Sequence, residues 1–166
     1  LSSCVRNEAE QCPGEVIAPL ALHGTLASSG CVVPPAGGWS VPAALPDVAP
    51  TAADPVPTFS ADFSWDEGAG QLAYCTRDSH SAVLLGTRSG DHLRAEVTLE
   101  GAVLTSCAAT CAPRTTLVVE GDLSGGGGAP LSFTGTLTET LDDSAGGCGA
   151  CVLPCSSVYD LAGESR

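Results

Sequence analysis

The chain contains no lysine and no methionine, and its aromatic residues are only two Trp, two Tyr and three Phe. Its basic residues are six arginines against nineteen acidic residues, which gives a formal net charge of -13. A chain with this charge balance forms no polybasic patch, so we expect no binding to nucleic acid. Ala, Val and Leu must form most of the core, so burial stabilises the fold by less free energy per side chain than it would in a core rich in aromatic residues. Disulfides are therefore expected to contribute more to stability.

Long apolar runs are also missing. No run approaches the roughly 20 residues of a transmembrane helix, so no transmembrane segment is predicted. Position 1 is Leu and not Met, which leads us to expect a longer precursor from which a secretory signal was removed. Nine cysteines then favour an extracytoplasmic location (secreted, periplasmic or at the cell surface), where disulfides form. The scarcity of Lys, Met, Asn and Ile indicates a GC-rich, bacterial coding sequence.

One strand-like pattern, apolar-x-apolar-x-Gly-x-apolar, recurs around Gly24, Gly101, Gly121 and Gly135. Alternation with a period of two predicts a half-buried β-strand, and an internal glycine marks a bend or a close backbone approach. The prediction is an all-β fold, an antiparallel sandwich or small barrel of about seven or eight kinked strands. The predicted strands cover residues 15–26, 58–65, 71–76, 82–87, 92–99, 115–123 and 131–141, with a short edge strand at 158–161.

A proline-rich segment divides the chain. Seven prolines fall between positions 34 and 57, a density that excludes central strands and regular helices. We therefore predict a Cys- and Pro-rich N-terminal arm with one strand (residues 1–57) and an antiparallel β core with a Cys-rich C-terminal segment (residues 58–166). Because an extended arm can add to the sheet edge of a neighbour, the arm is the predicted route to a protein partner or to self-assembly.

The cysteines predict a disulfide framework whose pairing the sequence leaves open, with one cysteine left over. An alternative is that four of them hold a structural zinc ion as thiolates. The Cys-x-x-Cys spacing near the C-terminus also occurs in redox dithiols, but those require a helix N-terminus that an all-β chain does not supply. The cysteines are Cys4, Cys12, Cys31, Cys75, Cys107, Cys111, Cys148, Cys151 and Cys155, and the metal alternative concerns Cys107, Cys111, Cys148 and Cys151.

The N-terminal tetrapeptide Leu1-Ser-Ser-Cys4 resembles a lipobox, the motif that precedes the lipidated cysteine of bacterial lipoproteins. The resemblance implies that Cys4 is acylated and anchors the protein to a membrane. Eight cysteines would then remain to form pairs. The preferred interpretation is that Cys4 forms an ordinary disulfide.

Two histidines raise the question of catalysis. His80 and His92 flank one predicted hairpin, with Asp78 and Asp91 beside them, so a His–carboxylate site for hydrolysis or metal binding is one hypothesis. No Gly-x-Ser-x-Gly elbow, His-Glu-x-x-His helix or phosphate-binding loop accompanies them. We therefore predict no catalytic residue, no cofactor and a non-enzymatic structural or interaction module. A small-ligand- or metal-binding β-protein, secreted or lipid-anchored, is the alternative.

Overall fold

The sheet closes on itself. The computed structural model of the chain describes residues 12–30, 58–76, 83–100, 108–143, 146–149 and 151–166. Within these ranges every strand pairs antiparallel with the next, and the last pairs with the first, so the all-β prediction is confirmed in its barrel form. No helix in these ranges is long and apolar enough to cross a membrane. The strands are β1 (Glu15–Ser29), β2 (Phe59–Asp66), β3 (Gln71–Thr76), β4 (Val83–Ser89), β5 (His92–Leu99), β6 (Arg114–Gly126), β7 (Ala129–Asp142) and β8 (Cys155–Ser165).

The up-and-down strand order makes the two ends of the barrel different. At the lower end, short turns at residues 67–70, 90–91 and 127–128 join consecutive strands. At the upper end, the strands are joined by longer connections, which cover residues 30–58, 77–82, 100–113 and 143–154. Binding residues tend to lie where a rigid scaffold carries its long connections, so the upper end is the candidate location of a binding site.

Glycines allow neighbouring strands to approach closely where the sheet curls. Gly121 of β6 and Gly135 of β7 are direct partners in the register. A Cβ atom on either residue would lie 2.8 Å from Cζ of Phe133, whose ring occupies the space that the two glycines leave. A Cβ on Gly135 would also overlap the backbone carbonyl oxygen of Glu120. The close backbone approach predicted for the strand glycines is therefore present at Gly121 and Gly135, whereas Gly101 lies outside the described residues.

Apolar side chains fill the barrel interior, as expected for a barrel of eight strands. The ring centroid of Phe63 on β2 lies 5.2 Å from that of Tyr74 on β3 and 5.0 Å from that of Phe133 on β7. Side chains from distant strands therefore meet inside the barrel. The core is built from Ala18, Leu20, Leu22, Phe59, Ala61, Phe63, Leu72, Tyr74, Leu84, Leu93, Ala95, Leu117, Val119, Leu123, Phe133, Leu137, Tyr159 and Leu161.

Two strands have a larger role than the sequence suggested. The segment predicted as a short edge strand at 158–161 is the eleven-residue β8, which pairs with β7 on one side and β1 on the other. β1 pairs with both β2 and β8, so the strand of the predicted N-terminal arm is a member of the barrel. Closure leaves no free edge in the described sheet to which a second copy's arm could add.

Residues 12–14, just before β1, lie over the outer face of the sheet. A disulfide joins Cys12 to Cys75 of β3, and the Ser64 hydroxyl of β2 donates a hydrogen bond to the Pro13 carbonyl oxygen. This cover explains why Ser64 is fully buried although it alternates with the inward-facing Phe63. The disulfide thus fixes the start of the described chain to the barrel wall.

Arg166, which follows β8, contacts both β1 and β2. The backbone N–H of Arg166 donates to the Pro19 carbonyl oxygen at 3.0 Å, and its Nη2 atom lies 2.7 Å from Oδ1 of the buried Asp62. This ion pair neutralises a carboxylate that is removed from water, and it ties the end of β8 across β1 to β2.

Replacing Gly135 with Ala tests the close approach of β6 and β7. The added Cβ would overlap the Glu120 carbonyl and the Phe133 ring, so we expect a loss of about 2 kcal/mol or more in the free energy of unfolding. Gly149→Ala is the control, because a Cβ at Gly149 meets no atom within 4 Å. Urea unfolding of both variants measures the difference, and equal stabilities would contradict the packing described for Gly135.

Candidate functional site

The inward-facing residues are apolar except near the upper end. Thr76 is the last residue of β3, Glu139 lies three residues before the end of β7, and Ser157 is the third residue of β8. All three are buried, and by strand alternation they share the inner face with the core residues. Near the lower end the corresponding inward positions hold residues such as Leu72 and Leu93. The upper part of the interior is therefore its polar part.

Glu139 is the unusual member of this group. It pairs in register with Leu117 on β6 and Ser157 on β8. Only 2% of its surface is exposed, and its Oε2 atom has no hydrogen-bond partner among the described residues. Because it is costly to ionise a buried carboxyl group that has an unpartnered oxygen, the protonated form is favoured. Burial raises the pKa of Glu139 from 4.5 to about 7.

Tyr159 shares the environment of this carboxyl group. It is the next inward residue of β8 after Ser157 and is 4% exposed. Burial, and secondarily the negative charge of Glu139, raise the pKa of Tyr159 to about 12. At neutral pH the two side chains therefore offer a hydroxyl group and a carboxyl group that either accepts or donates a hydrogen bond. Such a pair can bind a polar group but contains no nucleophile with its activating base.

A disulfide cluster lies beside this end of the barrel. Cys111 and Cys148 form a disulfide and are buried against Ala108, Cys151 and Leu153. The predicted disulfide-rich character is confirmed by this bond and by Cys12–Cys75. A disulfide gives small all-β domains stability that a core poor in aromatic residues does not supply.

The loop that follows β7 is tied to this cluster. The backbone N–H of Cys148 donates to Oδ2 of Asp143 at 3.2 Å. Oδ1 of the same carboxylate has no hydrogen-bond partner among the described residues. Two acidic groups with an unpartnered oxygen, Glu139 and Asp143, therefore lie within or just after the upper part of β7.

The metal alternative concerned four of the cysteines. Cys111 and Cys148 are bonded to each other, and Cys151 is also disulfide-bonded, so these sulfur atoms are not thiolates in the structure. Cys107 lies outside the described residues. Within the described ranges, no group of three or more His, Cys, Asp or Glu side chains is arranged to hold a metal ion. A four-thiolate zinc site is thus a prediction for a reduced form of the chain only.

The remaining predicted cysteines divide into two groups. Cys155, at the start of β8, is disulfide-bonded. Cys4 and Cys31 lie outside the described residues, so lipidation of Cys4 stays a prediction.

His92 lies on the outer face of the barrel, where β5 pairs with β6. Its Nδ1 atom is 2.9 Å from Oδ1 of Asp122, and its Nε2 atom is 3.1 Å from Oε1 of Glu120. Arg94 extends the network, with Nε 3.5 Å from Oε2 of Glu120. Hydrogen bonds to Asp122 and then Glu120 raise the pKa of His92 above 6.5. Because both ring nitrogens contact carboxylates, the protonated form of His92 is favoured in this surface network.

Of the predicted histidine site, the structure describes His92 and Asp91. His80 and Asp78 lie outside the described residues. The contacts of His92 go to β6 and not to Asp91, the neighbour in the sequence that was its candidate partner. The cross-strand register, which places His92 opposite Asp122, decides this pairing.

The third histidine borders an open groove on the outer face of β7, β8 and β1. The groove has a volume of about 540 Å³ and a floor that includes Ala21, Ala162 and Gly163, with His23 and Glu164 among its lining residues. A Cβ on Gly163 would overlap the Ala21 carbonyl oxygen, so this glycine is required by the approach of β8 to β1. The glycine in this groove is therefore explained by the close packing of β8 against β1.

Comparison of the chain with protein-family models, with curated proteins and with solved structures finds no match. Within the described part of the barrel, Glu139 is an inward-facing residue with a buried, unpartnered oxygen that the fold does not explain.

The buried carboxyl group predicts an unusual pH dependence of stability. Since the pKa of Glu139 is about 7 when folded and ordinarily 4.5, the folded state holds more protons between these values, and stability falls as the pH rises through this window. The loss amounts to about 3 kcal/mol. Glu139→Gln should lack this component, as urea unfolding across the window would show. An unchanged pH profile in the variant would contradict the assignment.

The surface network predicts a separate effect. We expect the pKa of His92, measured by NMR titration of its ring protons, to lie above 6.5 and to fall in Asp122→Asn, because that variant loses the hydrogen-bonding carboxylate. The stability that His92 contributes is present below 6.5 and is lost as the pH rises through its folded-state pKa. Thr98→Ala, on the same outer face, serves as the control. A His92 pKa that is the same in all three proteins would show that the contact is absent in solution.

Proposed function

We propose that the protein is a non-enzymatic, extracytoplasmic binding protein that receives a small ligand at the upper end of its barrel. The observation that carries this proposal is the inward-facing, buried carboxyl group of Glu139 with an unpartnered oxygen. A pocket with a few convergent polar groups in an apolar wall is the usual form of a small-molecule site. Glu139, Ser157 and Tyr159 are polar side chains near the upper end of the interior, and Leu117 and Leu137 are apolar side chains next to them in the register.

The disulfides support the extracytoplasmic part of the proposal, because such bonds form and persist in oxidising compartments. His92 takes part in surface ion pairs, and the described residues around Glu139 include no nucleophile–base pair, which supports a binding role over hydrolysis.

A structural or interaction module that uses the N-terminal arm is the second candidate. It is supported by the disulfide between Cys12 and Cys75, which attaches the arm to the outer wall of the barrel. An arm held in this way starts from a fixed position, which lowers the entropy cost of binding a partner. An acyl group on Cys4 would place that attachment eight residues from the anchor.

A small-molecule screen followed by NMR on the full, disulfide-intact chain tests the binding function. The panel contains primary amines, carboxylic acids, sugars and alkyl alcohols. We expect at least one class to shift the amide signals of Glu139, Ser157 and Tyr159, which lie together at the upper end. Failure of every class to shift these signals, or shifts confined to the groove around Gly163, would contradict the proposal.

A further inference from the structure

The charges around Glu139 indicate which chemical class the site accepts. On the described strands next to it, the inward neighbours are Leu117 of β6, Leu137 and Leu141 of β7, and Ser157 and Tyr159 of β8. None of these carries a positive charge. Every described arginine makes its contact elsewhere: Arg88 with Gly90, Arg94 with Glu96 and Glu120, Arg114 with Glu100, and Arg166 with Asp62.

We propose that the ligand is a small primary amine, bound as its ammonium ion, whose N–H groups donate to the free oxygen of Glu139. This inference rests on the proposed binding function. An ammonium group supplies both the missing hydrogen-bond donor and the missing counter-charge. The formal net charge of -13 attracts cations to the protein and disfavours anions. Leu117 and Leu137 place apolar side chains next to Glu139 and Tyr159, which suits an alkyl or aryl body.

The proton balance distinguishes this ligand from a neutral one. In the protein without ligand, Glu139 holds a proton below its pKa of about 7. Pairing with an ammonium ion releases that proton to solvent. A neutral carbonyl ligand would instead accept a hydrogen bond from protonated Glu139, so binding above this pKa would take up a proton. Tyr159 is the titratable group that faces Glu139 from the neighbouring strands, and it stays protonated because its pKa is about 12.

The experiment is calorimetric titration of the full, disulfide-intact chain with benzylamine, using benzyl alcohol as the neutral probe of matched shape. Measurements near pH 6 in two buffers of different ionisation enthalpy give the number of protons released, and a second set near pH 8 gives the pH dependence. We expect release of close to one proton near pH 6 and about a tenfold gain in benzylamine affinity near pH 8. Benzyl alcohol should bind more weakly and release no proton.

Two variants complete the test. Glu139→Gln keeps the side-chain volume but removes the charge, so it should lose about tenfold or more in benzylamine affinity together with the proton release. Glu164→Gln, an acid in the outer groove, should bind as the unmodified protein does. Circular dichroism confirms that both variants are folded.

Different failures lead to different conclusions. Equal benzylamine affinity in Glu139→Gln, proton uptake on binding, or binding of neutral compounds in place of amines would overturn the ammonium inference while leaving the binding function in place. If no compound of any class affects the upper-end residues, the binding function itself is contradicted.

Discussion

The structure depends on the pairing of its last strand with its first. Residues 20–29 of β1 form a ladder with residues 157–165 of β8, and only this ladder converts a curled sheet into a barrel with an inside. Glycines make the curl sterically feasible, because Gly121, Gly135 and Gly163 lie where a Cβ would overlap the backbone of the next strand. A chain with few aromatic residues thereby encloses a core that is filled mainly by Leu and Ala, with a Phe–Tyr cluster inside.

Closure also creates the electrostatic condition for the candidate site. An inward side chain in a closed sheet is shielded from water by the surrounding strands, so burial disfavours the charged form of Glu139. The short turns of the lower end and its apolar inward residues leave the upper end as the polar one. Disulfides beside that end, such as Cys111–Cys148, hold the loop after β7 close to the strands that carry Glu139 and Ser157.

Strand positions could be predicted well from alternation, because side chains on one face of a strand repeat every two residues. β3 and β5 occupy the predicted ranges 71–76 and 92–99. The choice between a sandwich and a barrel could not be made from the sequence, since β8 continues through Ala162 and Gly163, where the alternation fades. The partners of His92 were not predicted, because local sequence does not determine the register between β5 and β6. Glu139 did carry a signal: it has the same parity as Leu137 and Leu141, which places a carboxylate on the buried face of β7.

The most direct test of the account is the titration of the Glu139 carboxyl carbon by ¹³C NMR, assigned by its disappearance in Glu139→Gln. A carboxyl group that is buried inside the closed barrel with one unpartnered oxygen should titrate at about 7. A midpoint near 4.5, the ordinary value, would mean that water or a positive group reaches Glu139 and that the upper end contains no unsatisfied acid available to a ligand.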